Sequence, residues 1–410
     1  MSEKGIMGVV KPEAVKKEAN LDYQKIMDQF SQLPTYTLVA LGGRVGVDFV
    51  HSLLDSHPQI LTYNGYLFLY QFWSSSKCVA AKEFSLGDLV DEFIGTHIEQ
   101  LKSRYDLLER KDQLGDNADQ SIDIDLVLFK QSVLKLLEAR EVNSRNMVLA
   151  ICAAYSICLG QDLGQKRIFF HHHHHYHTLD PFLKDFPDAK IFCMTRDPRA
   201  SFVSHAENGR RYLPQRDNGM NLFVNLKRLL EEADPVKKFN KDYMVARVED
   251  LGNEEILKKL ARWLNIDFVD SMKQSTWGGL AWHGDRLTVN KTGSKGLSRD
   301  VLINHWEQKL SGLDKYLFNY LLNESLRHYR YSFRPRKVLD AIFVPFLILL
   351  PFKYERGYFS FSHLKKLIQN KEYEIILRNI SGYIKRVKLF YRHYLKVIFK
   401  KGFKHPYLQV

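Results

Sequence analysis

Apolar positions along the chain follow two rhythms. Short, nearly unbroken runs rich in β-branched and aromatic residues occur at Tyr36–Leu41, Arg167–Phe170, Lys190–Thr195 and Tyr243–Val248. Such runs suit strands buried on both faces. Between them the period becomes helical. Phe49, Leu53 and Leu54 mark a helix ending near His57–Pro58; Leu222, Leu226, Leu229 and Leu230 mark another, and Leu257 to Leu264 a third. Between 84 and 160, Leu89, Phe93, His97 and Leu101 share one helical face, as do Phe129, Val133, Leu136 and Leu137, with a polar loop at 115–121. Strands alternating with helices predict an α/β fold, a central parallel sheet flanked by helices with a helical insertion at 84–160. Residues 1–34 read as a polar arm with a short helix from Leu21 to Phe30, closed by Pro34. Ligands of such sheets bind beyond the carboxyl ends of the strands.

The pattern changes after residue 330. Ala341–Phe352 is a 12-residue apolar run interrupted by Pro345 and Pro351. It is followed by Leu364, Leu367, Ile368, Ile376, Ile380, Ile384, Val387, Tyr391, Tyr394 and Ile398 at helical spacing, with lysines and arginines between them. The 410-residue chain carries a formal charge of +13. Residues 331–410 hold 17 Lys/Arg against 4 Asp/Glu, so the whole excess lies there and the first 330 positions balance at 43 of each sign. This charge step predicts a boundary: a 35–330 α/β domain and a basic, partly apolar helical extension at 331–410. An amphipathic basic helix of this kind suits an anionic membrane surface through 338–401. Packing of the apolar run on the main domain is the alternative. Nucleic acid is not expected, because no reading motif accompanies the basic residues.

Four widely spaced cysteines, Cys78, Cys152, Cys158 and Cys193, read as reduced thiols. The first 20 residues lack an apolar core of signal-peptide length, and no run reaches the ~20 apolar residues of a membrane span. Cytoplasmic residence is the expectation, peripheral on a membrane's cytosolic face if the extension docks there.

Two strand ends carry chemistry. Tyr36–Leu41 runs into Gly42-Gly43-Arg44-Val45-Gly46-Val47-Asp48, a loop in which glycines let backbone amides approach a phosphate and one arginine reaches over it. It lacks the Lys-Ser/Thr ending of a Walker loop. Lys190–Thr195 runs into Arg196-Asp197-Pro198-Arg199, then Ser201 and Ser204, a basic turn at a helix start that suits an anion.

These two elements in this order resemble the sulfotransferase superfamily, whose α/β fold is P-loop-like and whose donor is 3′-phosphoadenosine 5′-phosphosulfate. Further similar segments follow: Arg247-Val-Glu-Asp-Leu251, Ser275–Gly279, Trp282–Asp285, Gly293–Gly296 and Trp306, so the resemblance spans about 35–330. It implies that Gly42, Gly43, Arg44, Val45, Gly46, Val47 and Asp48 hold the 5′-phosphosulfate, and that Arg196 and Ser204 hold the 3′-phosphate. It also implies sulfuryl transfer to a hydroxyl, with Arg44 at the leaving oxygen, a carbohydrate or lipid-linked glycan as acceptor, and no metal.

The family's first loop carries hydroxyls where this chain has Val45, Val47 and Asp48. Loss of catalysis with retained binding is therefore one alternative, and a different anionic donor or a membrane scaffold are others. The general base is sought in the run His171–His175, with His171, His173 and His175 as candidates and a metal tract or plain loop as competing readings. Asp180 and Asp285 are alternative bases. Trp277 and Trp282 suit either stacking on a ligand or packing.

Overall fold

The structure, a computed structural model, describes residues 21–63, 68–81, 83–102, 114–164, 166–173, 176–212, 217–232, 243–284 and 306–399. Its main sheet has five parallel strands, β1 (Thr35–Ala40), β2 (Ile60–Thr62), β3 (Arg167–His173), β4 (Lys190–Thr195) and β5 (Tyr243–Arg247), in the order β2-β3-β1-β4-β5. A two-residue hairpin, β6 (Thr276–Trp277) and β7 (Leu280–Ala281), stands apart. The first helices are α1 (Tyr23–Gln32), α2 (Val47–Leu54), α3 (Leu69–Ser75) and α4 (Lys77–Ala81). The insertion supplies α5 (Leu86–Lys102), α6 (Leu126–Leu137) and α7 (Ser144–Cys158). After β3 come α8 (Tyr176–Asp185), α9 (Pro198–Tyr212), α10 (Gly219–Glu232) and α11 (Glu254–Leu264). Then follow α12 (Trp306–Lys309), α13 (Gly312–Leu321) and α14 (Asn323–His328). The extension forms α15 (Val338–Ile348), α16 (Lys353–Tyr358), α17 (Phe361–Gln369) and α18 (Tyr373–Phe399).

The sheet divides the core in two. On one face Leu38, Phe169, Phe192 and Ala246 pack under α2 and α11; on the other Val39, Phe170, Cys193 and Val245 pack under α7, α8, α9 and α10. Burial of successive residues on both faces explains why the strands read as continuous apolar runs. The α/β expectation holds, and β2 is an added edge strand, too short at three residues to stand out from its sequence. Cys152 and Cys193 are buried free thiols, and burial raises the pKa of both.

The charge step at residue 331 is not a step in packing. Val344, Ile348, Phe352, Leu389 and Phe390 belong to the same core cluster as Phe202 and Phe318 of the main body. Helix α15 runs through Pro345 rather than breaking there. Proline has no N–H for the carbonyl of Ala341 four residues back; the hydroxyl of Tyr394 on α18 donates to that carbonyl instead, at 2.7 Å. Tyr391 donates to the Pro345 carbonyl at 2.6 Å, and buried Arg386 donates to the carbonyls of Ile348 and Leu350 at the end of α15. Arg386 also pairs with Glu355 at 2.8 Å, both fully enclosed. Its three-sided use explains why this cation, unlike its lysine neighbours, lies inside.

Candidate functional site

At the carboxyl end of β1 the chain turns through Gly42, Arg44 and Gly46, all with positive φ, before α2 begins. Gly46 is required twice over: its φ is 81°, and a Cβ there would meet Val248 Cγ2 at 2.3 Å. Arg44 at φ 60° is a non-glycine residue in left-handed backbone, the kind of local strain that collects at binding loops.

Helix α9, which follows β4, closes onto this loop. Ser201 Oγ donates to the Gly43 carbonyl, and the His205 ring lies so near that a Cβ on Gly43 would sit 2.9 Å from Nδ1. Ser201 and His205 are one turn apart, and half-buried Ser204 lies between them. Arg196 Nη1 donates to the Arg44 carbonyl at 3.3 Å. The fold thus brings the glycine loop, Arg196 and the Ser204 segment of α9 together at neighbouring strand ends.

Basic groups gather at these strand ends. Burial pushes the His205 pKa down to about 4, with Arg44 and Arg228 adding to the shift. Burial also lowers that of Arg196, opposed by Glu249 and assisted by Arg44. Arg44 thus couples to both Arg196 and His205, and Arg228 to His205. Such a cluster favours an anion.

Other motif residues build the frame. Asp197 is gripped by Arg199 through both carboxylate oxygens (2.9 and 2.7 Å), and the Arg199 guanidinium lies 4.0 Å over the Trp306 ring. Glu249 accepts from the Asp197 N–H and the Tyr331 hydroxyl, tying the end of β4 to that of β5. Arg247 pairs with Asp250 and donates to the Tyr329 carbonyl at 2.7 Å. Trp277 is fully buried, stacked 4.1 Å from His51, so its role is packing; Trp282 lies 5.7 Å from Trp277. The hairpin turn is held by Asp55, which accepts from the Gly279 N–H and Thr62 Oγ1. Burial raises the Asp55 pKa, and those hydrogen bonds counter it.

The divergent loop has a structural explanation. Val45 and Val47 are each 2% exposed and sit in the core beneath α2, so only their backbone could face a ligand. Asp48 points to His171, with Oδ1 4.0 Å from Nε2. His171 is itself 1% exposed, with its ring 5.4 Å from that of His51. Its place in this structure is that of a partner to Asp48.

Strand alternation turns His172 to the face opposite His171, where Nδ1 meets Thr37 Oγ1 and the ring packs on Phe182. His173 ends the strand; His175, Asp285 and 293–296 lie outside the described residues. Asp180 is exposed on α8. Among the described residues no three His, Cys, Asp or Glu side chains converge as metal ligands would. Sequence reasoning gave His205 no role, although it lies one turn after Ser201.

Two solved structures are similar to this chain in architecture. One is the sulfotransferase domain of the olefin synthase of Synechococcus PCC 7002, at 15% identity, covering 67% of this chain and 88% of that domain with a TM-score of 0.35. The other is the sulfotransferase STF9 of Mycobacterium avium, at 13% identity, covering 77% and 81% with a TM-score of 0.34. Both are sulfotransferases. No protein-family model and no curated protein matches the chain.

Proposed function

We propose that the chain is a sulfotransferase that uses 3′-phosphoadenosine 5′-phosphosulfate, with an acceptor hydroxyl on a carbohydrate or lipid-linked glycan. The observation that carries this reading is the contact between the glycine loop and the β4–α9 turn: Arg196 on the Arg44 carbonyl, Ser201 on the Gly43 carbonyl and His205 against Gly43. The loop's amides and Arg44 take the 5′-phosphosulfate, and Arg196 with Ser204 takes the 3′-phosphate. The acceptor oxygen attacks sulfur in line. The S–O bond to the 5′-phosphate breaks, the acceptor proton passes to a base, and 3′-phosphoadenosine 5′-phosphate leaves. Catalysis is then mainly positioning and charge stabilisation, with Arg44 at the leaving oxygen. The base falls to His173, at the end of β3, or to His175 of the same run, and His171 holds Asp48 away from the dianion.

Incubation with labelled donor and a panel of hydroxyl acceptors tests this. Label should reach at least one carbohydrate or glycolipid acceptor, and Arg44→Ala should reduce the rate by a larger factor than it weakens nucleotide binding. Nucleotide binding without transfer to any acceptor would leave the chain a binding protein of the same site and overturn the enzymatic reading.

A further inference from the structure

We propose that the outward faces of α15 and α18 form one docking surface for an anionic lipid bilayer. On α15, Val344 and Ile348 turn into the core, whereas Leu339, Ile342, Phe343 and Phe346 are 56–69% exposed on the opposite side, and Leu350 just past the helix end is 47% exposed. Two phenylalanines on one exposed face exceed what a surface helix needs for solubility or packing. Helix α18 carries a second strip, Leu377, Ile384 and Leu395, 46–66% exposed. Helical spacing puts this strip beside Tyr391 and Tyr394, whose hydroxyls reach the Pro345 and Ala341 carbonyls, so it borders α15. Lys388, Arg392 and Lys396, all exposed and one turn apart, continue around α18 along the edge of the strip.

Charge identifies the occupant. The extension holds the chain's entire +13 excess, so two copies meeting through this face would repel. A nucleic acid would have no use for Phe343 and Phe346, because its affinity comes from phosphate contacts. An anionic bilayer uses both parts: acyl chains take the apolar faces and headgroups take the cations. No helix among the described residues is long and apolar enough to cross a membrane, so the element lies on the surface. The inward side of α18 is committed to α10 and α15, which narrows the contact from the whole 338–401 stretch to these outward faces.

Flotation of the full chain with phosphatidylcholine vesicles, with and without phosphatidylserine, tests the proposal. The chain should float with the anionic vesicles and less with the neutral ones, and salt should weaken the binding. Phe343→Glu with Phe346→Glu should lower partitioning at least about tenfold. Lys388→Gln with Arg392→Gln and Lys396→Gln should lower it on the order of a hundredfold on anionic vesicles and little on neutral ones. The side chains changed are all exposed, so melting temperatures should match the parent's and exclude misfolding. Partitioning equal to the parent's in both variants would overturn the proposal, as would failure to float with anionic vesicles. A dimer seen by light scattering and abolished by the phenylalanine changes, without vesicle binding, would make this face a contact between copies and equally refute it.

Discussion

Gly382 on α18 crosses Gly219 at the start of α10 with backbone against backbone. A Cβ on Gly382 would lie 2.1 Å from the Gly219 carbonyl carbon and oxygen and 2.5 Å from the Met220 nitrogen. None of these atoms can rotate aside. Ordinary contact begins near 3.4 Å, so Gly382→Ala must part the helices by more than 1 Å. That movement pulls Asn379 Oδ1 from the Gly219 N–H, now 2.8 Å apart and buried. Overpacking costs about 1–3 kcal/mol and a broken buried hydrogen bond about another 1–3. Helix propensity works the other way, because alanine in place of an interior glycine gains about 1 kcal/mol. The net expectation is a loss of about 1–5 kcal/mol, read from urea denaturation of the full chain. The sign decides: a variant as stable as the parent, or more so, would mean that the extension does not dock on α10 as described.

The loop valines face the core, so Val47→Thr should cost about 1–3 kcal/mol for a buried hydroxyl and leave the affinity for 3′-phosphoadenosine 5′-phosphate unimproved; tighter binding by calorimetry would show that the side chain faces the ligand. His205, held at about 4 against 6.5 for an ordinary imidazole, stays neutral in the fold where the unfolded chain would be protonated. Its contribution is therefore full above pH 6.5 and is lost as pH falls towards 4, up to about 3 kcal/mol. His205→Gln should flatten stability across that window in denaturation at pH 5 and pH 7, and an unchanged slope would refute the assignment. A bound dianion offsets the nearby arginines, so nucleotide binding at pH 6 should take up more protons, or release fewer, in the parent than in His205→Gln, measured in buffers of different ionisation heat. Equal proton exchange in the parent and His205→Gln would contradict a site beside His205.

Much of the fold was legible because its signals are local. The four main strands are short apolar runs, and Leu89, Phe93 and Leu101 mark α5 as buried where their spacing said they would be. The glycine loop and Arg196 were legible as strand-end chemistry. What escaped depends on contacts distant in sequence. Nothing near Pro345 announces that Tyr394, 49 residues on, will take over the carbonyl it strands. Pattern alone could not show that His171 is sealed against Asp48, because that contact joins β3 to a residue of α2 far away in sequence. The role of His205 arises only once α9 folds over Gly43. Charge and packing mark different things: the step at residue 331 marks where the cations are, while Phe352 and Phe390 join Phe202 and Phe318 in one cluster.

The central claim is a nucleotide site built on Arg196. Calorimetry of the full chain with 3′-phosphoadenosine 5′-phosphate, set beside adenosine 5′-phosphate, tests it directly. The 3′-phosphate should tighten binding, and Arg196→Ala should remove that advantage at a loss of at least about tenfold, the worth of a charged hydrogen bond. No heat of binding with the bisphosphate, or equal affinity in the Arg196→Ala variant, would contradict the account.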